Sequence, residues 1–255
     1  MASITAPGRL GDPEMSLATD PRVHPKVLEA LKGYNLHELS YLTSDLGPGA
    51  PLDAIRTFVR NNEASLEELY SRLDYTLPGD PTSSTLVTRS ETFIPGPDGN
   101  RLRLITYRPT QSRDTPLPAV IYFHGGGMII LSTDSPMHTS WAEALARSGL
   151  VVIAVDFRNA LTPDGLTPFP AGLNDCAAAV RWVYQRREQL RISKIVLNAY
   201  GMPLEWRLRE LPSLVECDGY LISCGTSALN AKLYDPSGEH ARDPLAWPYW
   251  LWMKT

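Results

Sequence analysis

The sequence predicts an α/β fold in which a mostly parallel sheet is flanked by helices. Two short apolar segments, residues 119–123 and 151–155, have the character of buried strands, and residues 194–198 predict a further strand. The segments between them, residues 137–147 and 170–190, are long enough for helices. An alternation of strand and helix is the pattern of a parallel sheet with helices packed on its faces.

The first part of the chain is predicted to be helical, in segments 24–42 and 51–73. Residues 86–94 alternate between apolar and polar side chains and therefore predict a strand. The Pro- and Gly-rich turn at residues 95–100 predicts a hairpin, with residues 102–107 as the partner strand.

The periodicity weakens after the last predicted strand. Residues 204–211 fit a short helix, whereas residues 219–224 fit either a strand or a buried helical turn, and the sequence leaves both open. Residues 244–252 combine three tryptophans with two prolines and predict an irregular segment.

Composition excludes several classes of function. The net charge of −4 provides no basic surface for nucleic acid. Three cysteines without a Cys-x-x-Cys pair indicate neither a disulfide framework nor a zinc site. No apolar run is long enough to span a bilayer, and the first twenty residues lack a signal-peptide core. We therefore expect a cytoplasmic protein with no cofactor, no metal, no membrane span and no nucleic-acid partner.

A His-Gly-Gly-Gly motif at residues 124–127 directly follows the first apolar segment. Glycine allows a sharp turn, so that backbone N–H groups can approach a ligand and hold the negative oxygen of a tetrahedral acyl intermediate. An ordinary glycine-rich turn is the alternative interpretation. His124 is expected to order this loop by hydrogen bonding rather than to transfer protons.

Asp156 and Arg158 stand two residues apart at the end of the second apolar segment. They can pair with each other or anchor neighbouring loops, and the structural interpretation is favoured over a chemical one. Pro170 fits the first turn of the following helix, to which we assign no chemical role.

Acyl transfer also requires a nucleophile, yet no Gly-x-Ser-x-Gly occurs in the 255 residues. Depending on register, Tyr200 or Gly201 takes the position after the third strand. Glycine cannot attack, and a tyrosine phenol needs an activating base. Ser227 is a weak candidate because its segment lacks the closing glycine, and His240 lies in a polar loop that we expect to be exposed. The remaining histidines have no acidic or cysteine neighbours at metal-ligand spacing: His24, His37 and His138.

Together these motifs resemble those of α/β-hydrolases of the hormone-sensitive-lipase-like esterase group. The segment 124–127 resembles the oxyanion motif of that group, and the segment 156–158 resembles its Asp-Tyr-Arg-type motif. Residues 169–171 together with Asp175 resemble the helix start that follows. The similarity to the conserved core runs from about residue 86 to about residue 198.

The resemblance implies a Ser-His-Asp esterase that places its oxyanion N–H groups on Gly125 and Gly126, with Gly127 as part of the motif. It further implies an incomplete α/β-hydrolase fold, because the serine elbow and the later triad acid and histidine are not found. The implied organisation is a tail and helical cap at residues 1–85, a partial core at residues 86–200 and a cap- or lid-like remnant at residues 201–255.

Three functions compete on these grounds. We favour a member of the carboxylic-ester hydrolase family, whose enzymes act through acyl transfer, that has lost its own catalysis. Its expected ligand is a small acyl ester. The alternatives are a working hydrolase with Ser227 or Tyr200 as nucleophile, and a non-catalytic binding or regulatory protein that uses the acyl pocket. The strand at residues 194–198 is expected to become an uncovered sheet edge through which the protein associates with itself.

Overall fold

The structure, a computed structural model, describes residues 12, 14–37, 46–47, 49–76, 86–112, 115–199 and 224–247. Within these residues the elements follow one another in chain order: α1 (Pro25–Gly33), α2 (Leu52–Arg72), β1 (Val87–Pro95), β2 (Arg101–Pro109), β3 (Leu117–Phe123), α3 (Pro136–Arg147), β4 (Val151–Asp156), β5 (Leu161–Thr162), β6 (Gly165–Leu166), α4 (Ala171–Gln185), β7 (Ile192–Ala199) and α5 (Cys224–Tyr234). No helix in this part of the chain is long and apolar enough to cross a membrane.

Five of the strands form one sheet in the order β1-β2-β4-β3-β7. β3 pairs in parallel with both β4 and β7, whereas β2 pairs antiparallel with β1 and β4. Four strands therefore run in one direction, and β2 opposes them. The predicted hairpin is confirmed, with Ile94 opposite Leu102 across the turn.

Both faces of the sheet are covered by helices, because the inner strands are apolar on both sides. On one face Ile121 and Ile153 pack in a cluster with Ala179 and Val183 of α4. The other face forms a second cluster, in which α3 packs against β2, β3 and β4: Ile105, Tyr107, Val120, Tyr122, Ala142, Ala146, Val152 and Ala154. The prediction of an α/β fold with a mostly parallel sheet is confirmed.

Element ends differ from the predictions where turn geometry intervenes. The helix predicted from residue 170 ends at Gln185, and turns lead to Arg191, whose φ of 52° departs from strand geometry. The short hairpin of β5 and β6 was not predicted, because two-residue strands have no periodicity to detect. The segment predicted at 204–211 lies outside the described residues, as does the segment predicted at 219–224 except for Cys224, where α5 begins.

The chain groups into two compact units. One comprises Glu63–Met202 and contains the whole sheet, and the other comprises Met1–Asn62 with Pro203–Thr255 and contains α1 and α5. The expected division at residues 85 and 200 stays a prediction.

Candidate active site

The glycine loop, defined here as residues 124–135, begins where β3 leaves the sheet. Gly126 has a φ of 109°, and a Cβ at this position would lie 2.0 Å from the carbonyl oxygen of Ile130. The carbonyl of Gly126 accepts hydrogen bonds from the N–H groups of Ile129 at 3.1 Å and Ile130 at 3.2 Å. The turn is therefore too tight for any residue but glycine at position 126.

His124 is buried at the start of the glycine loop and stabilises it. Its Nδ1 donates to the carbonyl of Gly125 at 2.7 Å, since a carbonyl can only accept. The ring stacks on Phe157, with centroids 4.3 Å apart and planes 6° from parallel. Burial lowers the pKa of His124, which keeps the ring neutral. These contacts agree with the loop-ordering role expected from the sequence.

Gly125 has a different environment from the one predicted. Its N–H donates to Nε2 of His138 at 3.2 Å, and Nδ1 of His138 lies 2.6 Å from the hydroxyl of Tyr122. The prediction that Gly125 offers a free N–H group is therefore wrong. The reason is the start of α3, which places the buried imidazole of His138 against the loop.

Gly126 and Gly127 provide the next N–H groups along the loop. Neither N–H group has a hydrogen-bond acceptor within the described part of the chain. Both residues have positive φ values, 109° and 65°, so this stretch of backbone departs from ordinary strand and helix geometry. An anion is the kind of ligand that two such N–H groups can hold. Gly126, which the sequence already indicated, therefore remains a candidate donor to an oxyanion. Gly127 is a second candidate donor.

The far end of the glycine loop is anchored at Leu131, which has a left-handed φ of 69°. Its N–H donates to Oε1 of Glu63 at 2.7 Å, and its carbonyl accepts from Nδ2 of Asn159 at 2.6 Å. The hydroxyl of Ser135 donates to the carboxylate of Glu67 on the same helix as Glu63. Helix α2 is therefore bound directly to the glycine loop.

Arg158 does not pair with Asp156 but with Asp175, whose side chain is completely buried. The guanidinium binds it through Nε at 2.8 Å and Nη2 at 2.9 Å, and the backbone N–H of Arg158 adds a third bond at 3.0 Å. Nη2 also binds Asp98 at 2.6 Å. The hydrogen bond to Asp175 is the main cause that raises the pKa of Arg158.

Asp156 anchors a different segment. One of its oxygens accepts from Nε of Arg103 at 3.0 Å, and the other accepts from the hydroxyl of Thr133 at 2.9 Å. Thr133 belongs to the glycine loop, so Asp156 connects that loop to β2. Asp156 and Arg158 thus stabilise neighbouring segments, which is the structural interpretation favoured from the sequence.

The candidate nucleophiles gain no support from their surroundings. Ser227 is buried within the first turn of α5, whereas a catalytic elbow exposes its serine at a sharp turn between strand and helix. Tyr200 lies outside the described residues. His240 is half-buried, with Nδ1 3.9 Å from the carboxylate of Asp243, although exposure was predicted.

Sequence reasoning missed His138 and Asp175. The sequence presents His138 only as a possible metal ligand. The available signal was Tyr122, whose hydroxyl needs a polar partner in a buried strand, and His138 lies in the first turn of the next helix. Asp175 was considered only as part of a helix start. A carboxylate among the apolar residues of a helix that faces the core was the available signal.

Comparisons with known proteins agree with this architecture. The chain matches the alpha/beta hydrolase fold family over residues 120–198. It superimposes on brefeldin A esterase, described as a bacterial homologue of human hormone-sensitive lipase, with a TM-score of 0.87 and 37% identity. That alignment covers 96% of this chain and 76% of the esterase chain.

Curated relatives match over a shorter segment. Tuliposide A-converting enzyme b1 from Tulipa gesneriana is 35% identical over 98 residues, which cover 38% of this chain and 25% of that enzyme. Esterase LipI from Mycobacterium tuberculosis is 36% identical over 97 residues, which cover 38% of this chain and 29% of the esterase. The chain thus spans between a quarter and a third of the length of these two curated relatives.

Proposed function

Because this chain belongs to the α/β-hydrolase fold family, in the group of esterases similar to hormone-sensitive lipase, we propose that its glycine loop binds the oxyanion of carboxylic-ester chemistry. The observation that carries the proposal is the pair of N–H groups on Gly126 and Gly127. They lie next to a strand end, in a loop that other residues hold in place.

The chemistry of the loop is electrostatic. When a nucleophile adds to an ester carbonyl, the carbonyl oxygen becomes negative, and fixed N–H dipoles stabilise that charge. His124 and His138 contribute no positive charge near neutral pH, since burial lowers the pKa of both. The backbone N–H groups therefore supply the stabilisation.

The ligand class follows from the same loop and from the relatives. A small acyl ester places one carbonyl oxygen where two N–H groups can reach it. Two of the proteins to which the chain is similar are named as esterases, and we extend only the general class of ligand, a carboxylic ester, to this chain. A cytoplasmic location is proposed with it, because three cysteines without a disulfide framework are typical of a reducing compartment.

We further propose that this chain does not complete acyl transfer. The residues after β7 read Ala199, Tyr200 and Gly201, and no Gly-x-Ser-x-Gly occurs anywhere in the sequence. Without the serine the loop can polarise a carbonyl, but the chain supplies no activated nucleophile and leaves only water to attack it.

Oxyanion binding is tested with an aryl phosphonate monoester, a stable anion that resembles the intermediate. Amide chemical shifts of Gly126 and Gly127 are followed by NMR during titration, and we expect both to move. Gly126→Ala should abolish the response, because its Cβ would collide with Ile130. Gly33→Ala, which places its Cβ in open space, is the matched control. Unmoved amides in the unmodified chain would contradict the proposed site.

Catalytic deficiency is tested by turnover of p-nitrophenyl acetate. An oxyanion hole and binding alone leave roughly 10³–10⁴-fold acceleration over water in enzymes that have lost their triad. We expect no more than that, and no change in Ser227→Ala. Fast turnover that disappears in Ser227→Ala would show a working hydrolase with a rearranged nucleophile.

A further inference from the structure

We propose that His138 is a positioning residue of the glycine loop: by accepting the N–H of Gly125, it fixes the backbone so that the N–H groups of Gly126 and Gly127 remain available to an anion. This inference rests on the function proposed for the loop. It assigns a role to a histidine outside the His-Gly-Gly-Gly motif.

The direction of the hydrogen bonds defines the state of the ring. A backbone N–H can only donate, so Nε2 of His138 must be unprotonated when it binds Gly125 at 3.2 Å. A neutral imidazole then carries its proton on Nδ1. That proton is directed to the hydroxyl oxygen of Tyr122, 2.6 Å away. Tyr122 thereby selects the tautomer that can hold the loop.

The surroundings of His138 maintain that neutral state. His138 and Tyr122 are both only 1% exposed. Tyr122 reaches the ring from β3 and His124 from the loop, with its centroid 5.6 Å from that of His138. Burial, with a smaller effect of His124, lowers the pKa of His138 to about 4. The acceptor is therefore present throughout the neutral range.

The three glycines of the loop depend on contacts from other residues to fix their backbone. Gly125, Gly126 and Gly127 have no side chains, and glycine has the widest backbone freedom of any residue. A rotation of the peptide between Gly125 and Gly126 would change the direction of the next N–H group. His124 holds the carbonyl of that peptide at 2.7 Å, and His138 holds the N–H of the peptide before it at 3.2 Å. The bond to His138 therefore fixes the backbone that leads into the two proposed anion donors.

The first test reads the tautomer and the bond directly. The ¹⁵N shifts of His138 should show Nδ1 protonated and Nε2 unprotonated, and the amide of Gly125 should exchange slowly with solvent. In His138→Ala we expect Gly125 exchange to accelerate about tenfold or more. His138→Gln, whose side-chain oxygen can accept, should restore part of the protection. Glu143→Gln, on α3 with a side chain that is 41% exposed and faces Arg147, is the control and should change nothing.

The second test asks whether the bond from Gly125 to His138 affects binding of the aryl phosphonate. The aryl phosphonate response at Gly126 and Gly127 should weaken about tenfold in His138→Ala and recover partly in His138→Gln. If His138→Ala does not fold, acid titration of the unmodified chain replaces it: the Gly125 amide shift should change with the same midpoint as the His138 ring. In His138→Gln that transition should be absent.

The outcomes separate this inference from the proposed function. The unmodified chain could fail to bind the phosphonate and still show the predicted tautomer and a protected Gly125 amide. That result would overturn the proposed anion site but leave the role of His138 in holding Gly125 intact. A proton on Nε2 would overturn the anchor. So would a folded His138→Ala variant with unchanged Gly125 exchange and unchanged phosphonate response.

Discussion

The side chain of Asp175 shows how one buried carboxylate connects several segments. It accepts the guanidinium and backbone N–H of Arg158, and Nδ2 of Asn100 adds a bond at 3.2 Å. Arg158 follows β4, Asn100 precedes β2 and Asp175 lies in α4. A buried charge is tolerated only when it is paired and hydrogen-bonded.

Asp175→Ala should therefore destabilise the protein by about 3 kcal/mol, because it leaves the guanidinium of Arg158 without its buried partner. Asp98 binds the same guanidinium from a side chain that is 56% exposed. Asp98→Ala should cost no more than about 1 kcal/mol. Urea unfolding of both variants measures the difference, and equal losses would contradict the assignment of Asp175 as the main partner.

Because His138 is buried in its neutral form, we predict that the stability of the protein falls as the pH is lowered. Its folded pKa of about 4 lies below the ordinary value for histidine, so the unfolded chain takes up a proton first as the pH falls. Stability should therefore be full above about pH 6.5 and decline towards about pH 4, by at most about 1.4 kcal/mol per pH unit from this residue. His138→Gln should flatten that decline in unfolding curves recorded across the range. An unchanged slope would contradict the buried neutral state.

At the scale of elements, helix α2 holds the far end of the glycine loop through Glu63. Glu63→Ala should leave the N–H of Leu131 without its acceptor and accelerate its hydrogen exchange, with a loss of about 1–3 kcal/mol. Glu63→Gln retains an acceptor oxygen and should lose less. Glu68→Ala, at an exposed position of the same helix, is the control. Equal exchange at Leu131 in all three variants would show that the helix does not hold the loop.

The elements that follow from one-dimensional patterns could be predicted from the sequence. β3 and β4 are continuous apolar runs, and α2 has its apolar residues at helical spacing. The pattern of apolar residues is therefore enough to predict strands for the first two and a helix for the third. The contacts of the candidate site could not be predicted in the same way. The bonds from Gly125 to His138 and from Arg158 to Asp175 join residues 13 and 17 positions apart. Such pairs depend on how helices pack on the sheet.

At the scale of the whole molecule, β7 is the end strand of the described sheet. Val196 and Leu197 point to opposite faces and are 59% and 56% exposed, so the helices that cover the inner strands do not cover β7 at these two residues. An apolar edge of this kind invites pairing with another strand. We propose self-association through β7, as expected from the sequence.

Size-exclusion chromatography over a range of concentrations tests this association. The unmodified chain should shift to larger species as its concentration rises, and Leu197→Lys should reduce the shift by placing a charge on the edge strand. Leu245→Lys, which changes an exposed leucine outside the sheet, is the control. A monodisperse monomer with a cooperative melt above about 55 °C would contradict the prediction.

We propose that this chain holds a loop for an oxyanion but lacks the nucleophile that would work with it. Intact mass spectrometry after exposure to a fluorophosphonate ester detects such a nucleophile, because the reagent forms a stable adduct with an activated serine. We predict that the mass of the chain stays unchanged. One adduct per chain, lost in Ser227→Ala or located at Tyr200, would show that the chain has an activated nucleophile and would identify it.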